Sequence, residues 1–357
     1  MRYKEDWEEA KPRLAAWWEG EVLDRLALAV MSPRSQPIEV IPEVKPPEDL
    51  IDRWLNTEYR IYRAENSFVK TFFGGEAFPY FDTHIGPGSF ALFLGSEPGF
   101  AEDTVWYNPC LSDPKDYAQI AYDPENRWWQ VQRSLIAQGV ERSQGRYLVG
   151  MPDLVENLDT VASLRGTTQA LLDLPDRPEF VHALQRHILP LWYRYFDELY
   201  KLIKDETSGN SFSAFRIWAP GRMAKVQCDF SAMISPDMFE EFVVPYLSEQ
   251  CDWLDYSVFH LDGPDCVCHL DLLLDIPGLN AIQWTPGAGQ PGTGSLQWIP
   301  LYKRILAGGK SLLLLGAASD LIEPLVEEIG IEGVFIVTNT ASEQDAKELL
   351  KRARGWK

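Results

Sequence analysis

Ala281-Ile-Gln-Trp284, Ser311-Leu-Leu-Leu-Leu315 and Gly333-Val-Phe-Ile-Val337 are three short apolar runs of strand length. The segments Leu301 to Ala307, Leu321 to Ile329 and Glu343 to Arg354 alternate with them and carry helical spacing. Strands that alternate with helices through short connections are the pattern of parallel βαβ construction. An all-β or all-α fold is thereby excluded. The alternation alone leaves open whether the strands close into a barrel or form an open doubly wound sheet.

The same pattern extends toward the N-terminus. Residues 5 to 23 read as an amphipathic helix with Trp7, Leu14, Trp17 and Trp18 near helical spacing, followed by the strand Leu26 to Met31. Leu50 to Thr71, Asp123 to Gln138, Asn157 to Leu172, Pro178 to Lys204 and Pro236 to Asp252 read as helices. Tyr147 to Met151, a stretch near Ala214 to Trp218, and Tyr256 to Leu261 read as strands. Residues 35 to 110, dense in Pro, Gly and aromatics toward their end, read as an ordered elaboration near one end of the fold. At 357 residues the chain is expected to form a single domain, with residues 1 to 25 as an N-terminal helix.

Composition narrows the function. There are 53 acidic against 33 basic residues, a formal charge of −20. Such a surface repels a phosphate backbone, so nucleic acid is not an expected partner. No apolar run approaches the roughly 20 residues of a membrane-spanning helix. The opening residues lack a secretory pattern, and a cytoplasmic location is expected. Five cysteines, odd in number and unevenly spread, suit free thiols in a reducing compartment. No Gly-x-Gly-x-x-Gly or Gly-Lys-Ser/Thr loop follows an early strand, which disfavours a nucleotide site.

In a parallel βα array functional groups collect where strands end. His260 and Asp262 share one side of an extended chain that runs straight into Gly263-Pro264. An imidazole and a carboxylate placed so can transfer protons or bind a metal; equally, Asp262 can cap the next helix while His260 packs in the core. Asp229, a carboxylate in an otherwise apolar stretch, needs a partner if buried. Arg216 and Arg222 flank Trp218 and can grip an anion or pair with surface acids. Asp153, Gln283 and Trp284 complete a ring of strand-end candidates, with Trp218 and Trp284 as walls for a flat ligand.

Several of these segments resemble the uroporphyrinogen decarboxylase superfamily, which includes cobalamin-dependent methyltransferases. The likeness rests on Asp229-Phe230 through Ser235-Pro236-x-Met238-Phe239-x-x-Phe242-x-x-Pro245-Tyr246 and on His260-x-Asp262-Gly263. Trp17-Trp18-x-Gly20-Glu21-x-x-Asp24-Arg25 and Phe78-Pro79 through Gly86-Pro87-Gly88 add to it. The resemblance implies a closed (β/α)8 TIM-type barrel. It also implies methyl transfer to or from a small substrate, with a corrinoid (methylcobalamin) as carrier, a corrinoid-carrying protein as partner, and zinc or another divalent metal on His260, Asp262 and Asp229. The alternatives it implies are decarboxylation of a porphyrinogen-like polycarboxylate, needing no cofactor, and non-catalytic binding of a tetrapyrrole or corrinoid. The first strand ends Met31-Ser32-Pro33-Arg34-Ser35, where the decarboxylases carry Arg-Gln-Ala-Gly-Arg. Asp262 stands where the thiol methyltransferases carry a zinc-binding Cys, and Thr338-Asn339-Thr340 where they carry another.

Overall fold

A computed structural model describes residues 1 to 357. Its strands, in chain order, are β1 (Ala27–Pro33), β2 (Thr71–Gly75), β3 (Tyr80–Phe81), β4 (Glu97–Phe100), β5 (Val105–Asn108) and β6 (Leu148–Val149). They continue with β7 (Asn210–Phe212), β8 (Ile217–Ala219), β9 (Met223–Gln227), β10 (Tyr256–Asp262), β11 (Ala281–Thr285), β12 (Ser311–Leu315) and β13 (Val334–Asn339). The architecture is an α/β barrel of the (β/α)8 TIM type. Its longest ladder runs β9-β10-β11-β12-β13-β1, all parallel, with β2 antiparallel on the far side of β1. Short pieces make the remaining arc: β3 pairs parallel with β6, Met151 bridges to Phe212, and Asn210 brackets the backbone N–H and C=O of Met223.

Strands β11 to β13 read as near-continuous apolar runs because both faces are covered, one by the barrel interior and one by helices. The helices Ile299–Ala307, Ile322–Ile329 and Glu343–Ala353 lie between and after them, as the sequence predicts. The helix Trp7–Trp18 closes the N-terminal face of the barrel. Trp17 Nε1 donates to the carbonyls of Leu312 and Gly333, Trp18 Nε1 to that of Trp218, and Ser311 returns a bond to the Trp17 carbonyl. Arg25, just before β1, forms a two-pronged pair with the buried Glu76 at 2.7 and 2.8 Å. No helix is long and apolar enough to cross a membrane.

Several expected elements differ. Leu50 to Thr71 is two helices, Leu50–Leu55 and Thr57–Phe68, because Asn56 leaves helical geometry and caps the second one through Tyr59 N. The expected helices at 157 to 172 and 236 to 252 each break once, at Gly166 (φ 86°) and at Val243, which precedes a Pro at the second position of the next helix. Tyr80–Phe81, inside the expected elaboration, is a strand paired with β6. The expected strand near Ala214 to Trp218 is instead a hairpin, β7 and β8, and the barrel strand of this region is β9.

Candidate functional site

Three neighbouring strands put Gln227, His260 and Gln283 in one register row, since His260 pairs with Gln227 on β9 and with Gln283 on β11. Side chains paired across parallel strands point to the same face, so the row faces into the barrel. Asp262 follows two residues later on the same face, and Asp229 follows the end of β9. The ligand atoms of Asp229, His260 and Asp262 all lie within 4.8 Å of one another. These three sequence candidates therefore converge at the C-terminal end of the strands.

Each is held by its surroundings. Gln283 is fully buried, and its Nε2 donates to the Trp284 carbonyl (2.6 Å) and Thr285 Oγ1 (2.9 Å). Its Oε1 is thereby turned to His260 Nδ1 at 2.5 Å. An amide oxygen only accepts, so Nδ1 carries the hydrogen and a neutral ring keeps its free lone pair on Nε2. Phe215 lies against the imidazole, with ring centroids 5.4 Å apart. The turn after Asp262 is capped by Gly263 without help from the Asp262 carboxylate, which stays available.

Asp229 sits at the start of a short 3-10 turn, Asp229–Met233, whose first amides are satisfied from another segment. Asp159 accepts from the backbone N–H of Asp229 (2.9 Å) and of Phe230 (2.8 Å). Gln227 Nε2 then donates to both carboxylates, Asp159 at 2.7 Å and Asp229 at 3.0 Å. Burial and the neighbouring charge of Asp229 push the Asp159 carboxyl upward. The next helix behaves as its sequence suggests, with Ser235 as N-cap to Met238 N.

The inner face of β9 continues this network. Lys225 pairs with Asp153 at 2.7 Å and bonds Gln227 Oε1. Glu156, wholly buried, accepts the Gln227 N–H at 2.6 Å, and its other oxygen has no partner. Burial raises its carboxyl to about 8, against a smaller lowering by Lys225. Val155 and Asn157 on either side both hold φ of 52°, unusual for a non-glycine residue and costly for a β-branched one. Glu156, Asp159, Lys225 and Gln227 are not among the sequence candidates.

Three candidates fall elsewhere. Arg222 precedes β9, so it stands at the opposite end of that strand from Asp229, about 17 Å at strand rise from Gln227, where the strand ends. There it pairs with Asp255 and stacks over Trp253. Trp218 is buried edge-on against Trp7 at 5.6 Å, and its Nε1 binds Asp205. Trp284 alternates with Gln283, so it points out of the barrel, fully buried beside Trp298 at 5.0 Å. Neither indole is available as a wall for a ligand in the mouth. Arg216, with φ of 56°, does line a cavity beside the site.

No protein-family model and no curated protein matches the chain. Among solved structures, it is similar to a methyltransferase from Methanosarcina mazei, with a TM-score of 0.62 and 14% identity. The match covers 97% of this chain and 98% of that one. At that identity the likeness speaks to the fold, and it spans the whole barrel.

Proposed function

We propose that the chain is a methyltransferase that moves a methyl group between a corrinoid and a small substrate held at Asp229, His260 and Asp262. The observation that carries this reading is the convergence of one imidazole and two carboxylates within 4.8 Å at the mouth of the barrel. The whole-length likeness to a methyltransferase fold supports it. The donor set, one nitrogen and two carboxylate oxygens, fits a divalent ion such as zinc, with positions left for substrate. Bound there, the ion would act as a Lewis acid on the substrate's heteroatom.

The chain's own residues would orient and desolvate the acceptor. Gln283 fixes the imidazole plane and tautomer, Asp159 and Gln227 fix the Asp229 carboxylate, and Phe215 shields one side of the ring. A carboxylate oxygen of Asp229 or Asp262 that is not on the ion would take the proton the acceptor gives up on methylation. A corrinoid-carrying protein would be the natural source of the methyl group. Decarboxylation of a polycarboxylate gripped jointly by Arg216 and Arg222 is poorly supported, because the two arginines lie at opposite ends of the barrel.

The test is metal analysis of untagged protein together with methyl transfer from methylcobalamin to small acceptors. Bound divalent metal that disappears, along with transfer, in His260→Ala and Asp262→Ala supports the reading. Metal-free protein and unimpaired transfer in both variants would sink it.

A further inference from the structure

One layer below the register row of Gln227, His260 and Gln283 lies a second row, Lys225 on β9, Val258 on β10 and Ala281 on β11. Residues two apart on a strand share a face, so the Lys225 side chain enters the barrel beneath Gln227. Val258 and Ala281 are apolar and fully buried, and neither side chain offers an acceptor. A buried ammonium group must find acceptors elsewhere. Lys225 Nζ finds two, Asp153 Oδ1 at 2.7 Å and Gln227 Oε1. Asp153 neutralises the charge and is itself fixed, since its backbone carbonyl accepts from Gly88 N–H (3.1 Å) and Ser89 N–H (3.0 Å). The Phe212 ring lies 5.9 Å from the ammonium group on another side.

The bond to Gln227 ties this cation to the site. A carboxamide has one acceptor end and one donor end. Lys225 engages the acceptor, and the donor then faces Asp159 at 2.7 Å and Asp229 at 3.0 Å. Turned the other way, the amide would set its oxygen against two carboxylates and its NH2 against an ammonium group. Without Lys225 the buried oxygen has no partner, and the Gln227 side chain is held at its donor end alone. No other lysine or arginine lies within 4.0 Å of the carboxyl groups of Asp153, Glu156, Asp159 or Asp229. Lys225 is therefore the one direct counter-charge in a network of four acids.

We infer that Lys225 is a positioning residue of the site: it clamps the acceptor end of the Gln227 amide, and the amide holds the Asp229 carboxylate in one orientation toward His260 and Asp262. This role rests on the proposed reading in taking Asp229 as a metal ligand, whereas the chain of bonds from Lys225 through Gln227 to Asp229 is independent of it.

Side-chain amide NMR of the isotope-labelled, metal-free chain reads the clamp, and zinc titration against a chromophoric chelator reads its effect on the ligands. In wild type the Gln227 Nε2 protons are expected to resonate away from the position of a solvated glutamine amide and to exchange slowly. Lys225→Met should move them toward the solvated position and lower zinc affinity about tenfold. Lys225→Gln keeps a donor for Oε1 and loses the charge, so it should do less on both counts. Arg25→Ala, at the opposite end of the barrel, controls for lost stability and should leave both readouts at their wild-type values. Gln227 signals already at the solvated position in wild type, or unmoved by Lys225→Met, would overturn the assignment. Wild-type zinc affinity in Lys225→Met would overturn it too. Amide signals that shift in Lys225→Met, in a chain that binds no zinc even as wild type, would support the clamp and sink the methyl-transfer reading.

Discussion

Gln283 Oε1 lies 2.5 Å from His260 Nδ1, and this contact alone decides which nitrogen of the ring faces a ligand. Gln283→Ala frees the ring to rotate and to change tautomer. Zinc affinity, read by competition with a chromophoric chelator, should fall about 10- to 100-fold, alongside a destabilisation of about 1–3 kcal/mol from the buried groups left unpaired. An affinity equal to wild type would show that the amide does not position the imidazole.

Asp159→Asn should act on Asp229 at a distance. The carboxylate accepts two backbone N–H groups and one side-chain amide, and an asparagine must turn its own NH2 toward one of them. Loss of one such bond at a largely buried site costs about 1–3 kcal/mol. Chemical denaturation should show that loss, and zinc affinity should fall as well; unchanged denaturation midpoints would refute the role.

Glu156 makes stability depend on pH. Its carboxyl is raised in the fold to about 8, above its ordinary value, so the native state binds more protons than the unfolded chain between those limits. Stability from this group is present at low pH and is lost as pH rises through that window, by an amount on the order of a few kcal/mol. Asp159, raised in the same direction, adds to the trend. Melting temperatures from pH 5 to 9 should fall more steeply for wild type than for Glu156→Gln, which keeps the acceptor for Gln227 N–H and cannot ionise. Parallel curves for the two proteins would count against a buried neutral acid.

Arg25→Ala leaves Glu76 buried with Arg13, 3.5 Å away, as its one remaining ion-pair partner within 4.0 Å. Removing one partner of a buried pair costs about 3–5 kcal/mol. The double change Arg25→Met/Glu76→Leu should cost less than Arg25→Ala alone. Equal stability of Arg25→Ala and wild type in guanidinium denaturation would contradict this.

The back half of the barrel is legible in the sequence because β11 to β13 are buried on both faces and show it as apolar runs. β9 is not, since its inward residues Lys225 and Gln227 are polar and break the run that marks a buried strand. The same polarity is what makes it part of the site. His260, Asp262 and Asp229 can be found because each is a lone ionisable group at the end of an apolar stretch. Glu156 and Asp159 cannot, because acids near a helix start are ordinary caps, and only the path of the chain brings them against Gln227. Trp284 falls away from the mouth because side-chain direction depends on strand register, and Trp218 and Arg222 because the barrel strand of this region is β9, which begins after them.

The helix that floors the barrel has a consequence for the order of assembly. Trp17 meets carbonyls 295 and 316 residues further along the chain, so a growing polypeptide makes the stopper long before the vessel it closes. Until the last two strands emerge, Trp17 has no seat, although Trp7 and Trp18 can already pack around Trp218. Locking the floor last couples the helix Trp7–Trp18 to the strands β12 and β13, so a lesion at either one is felt at both.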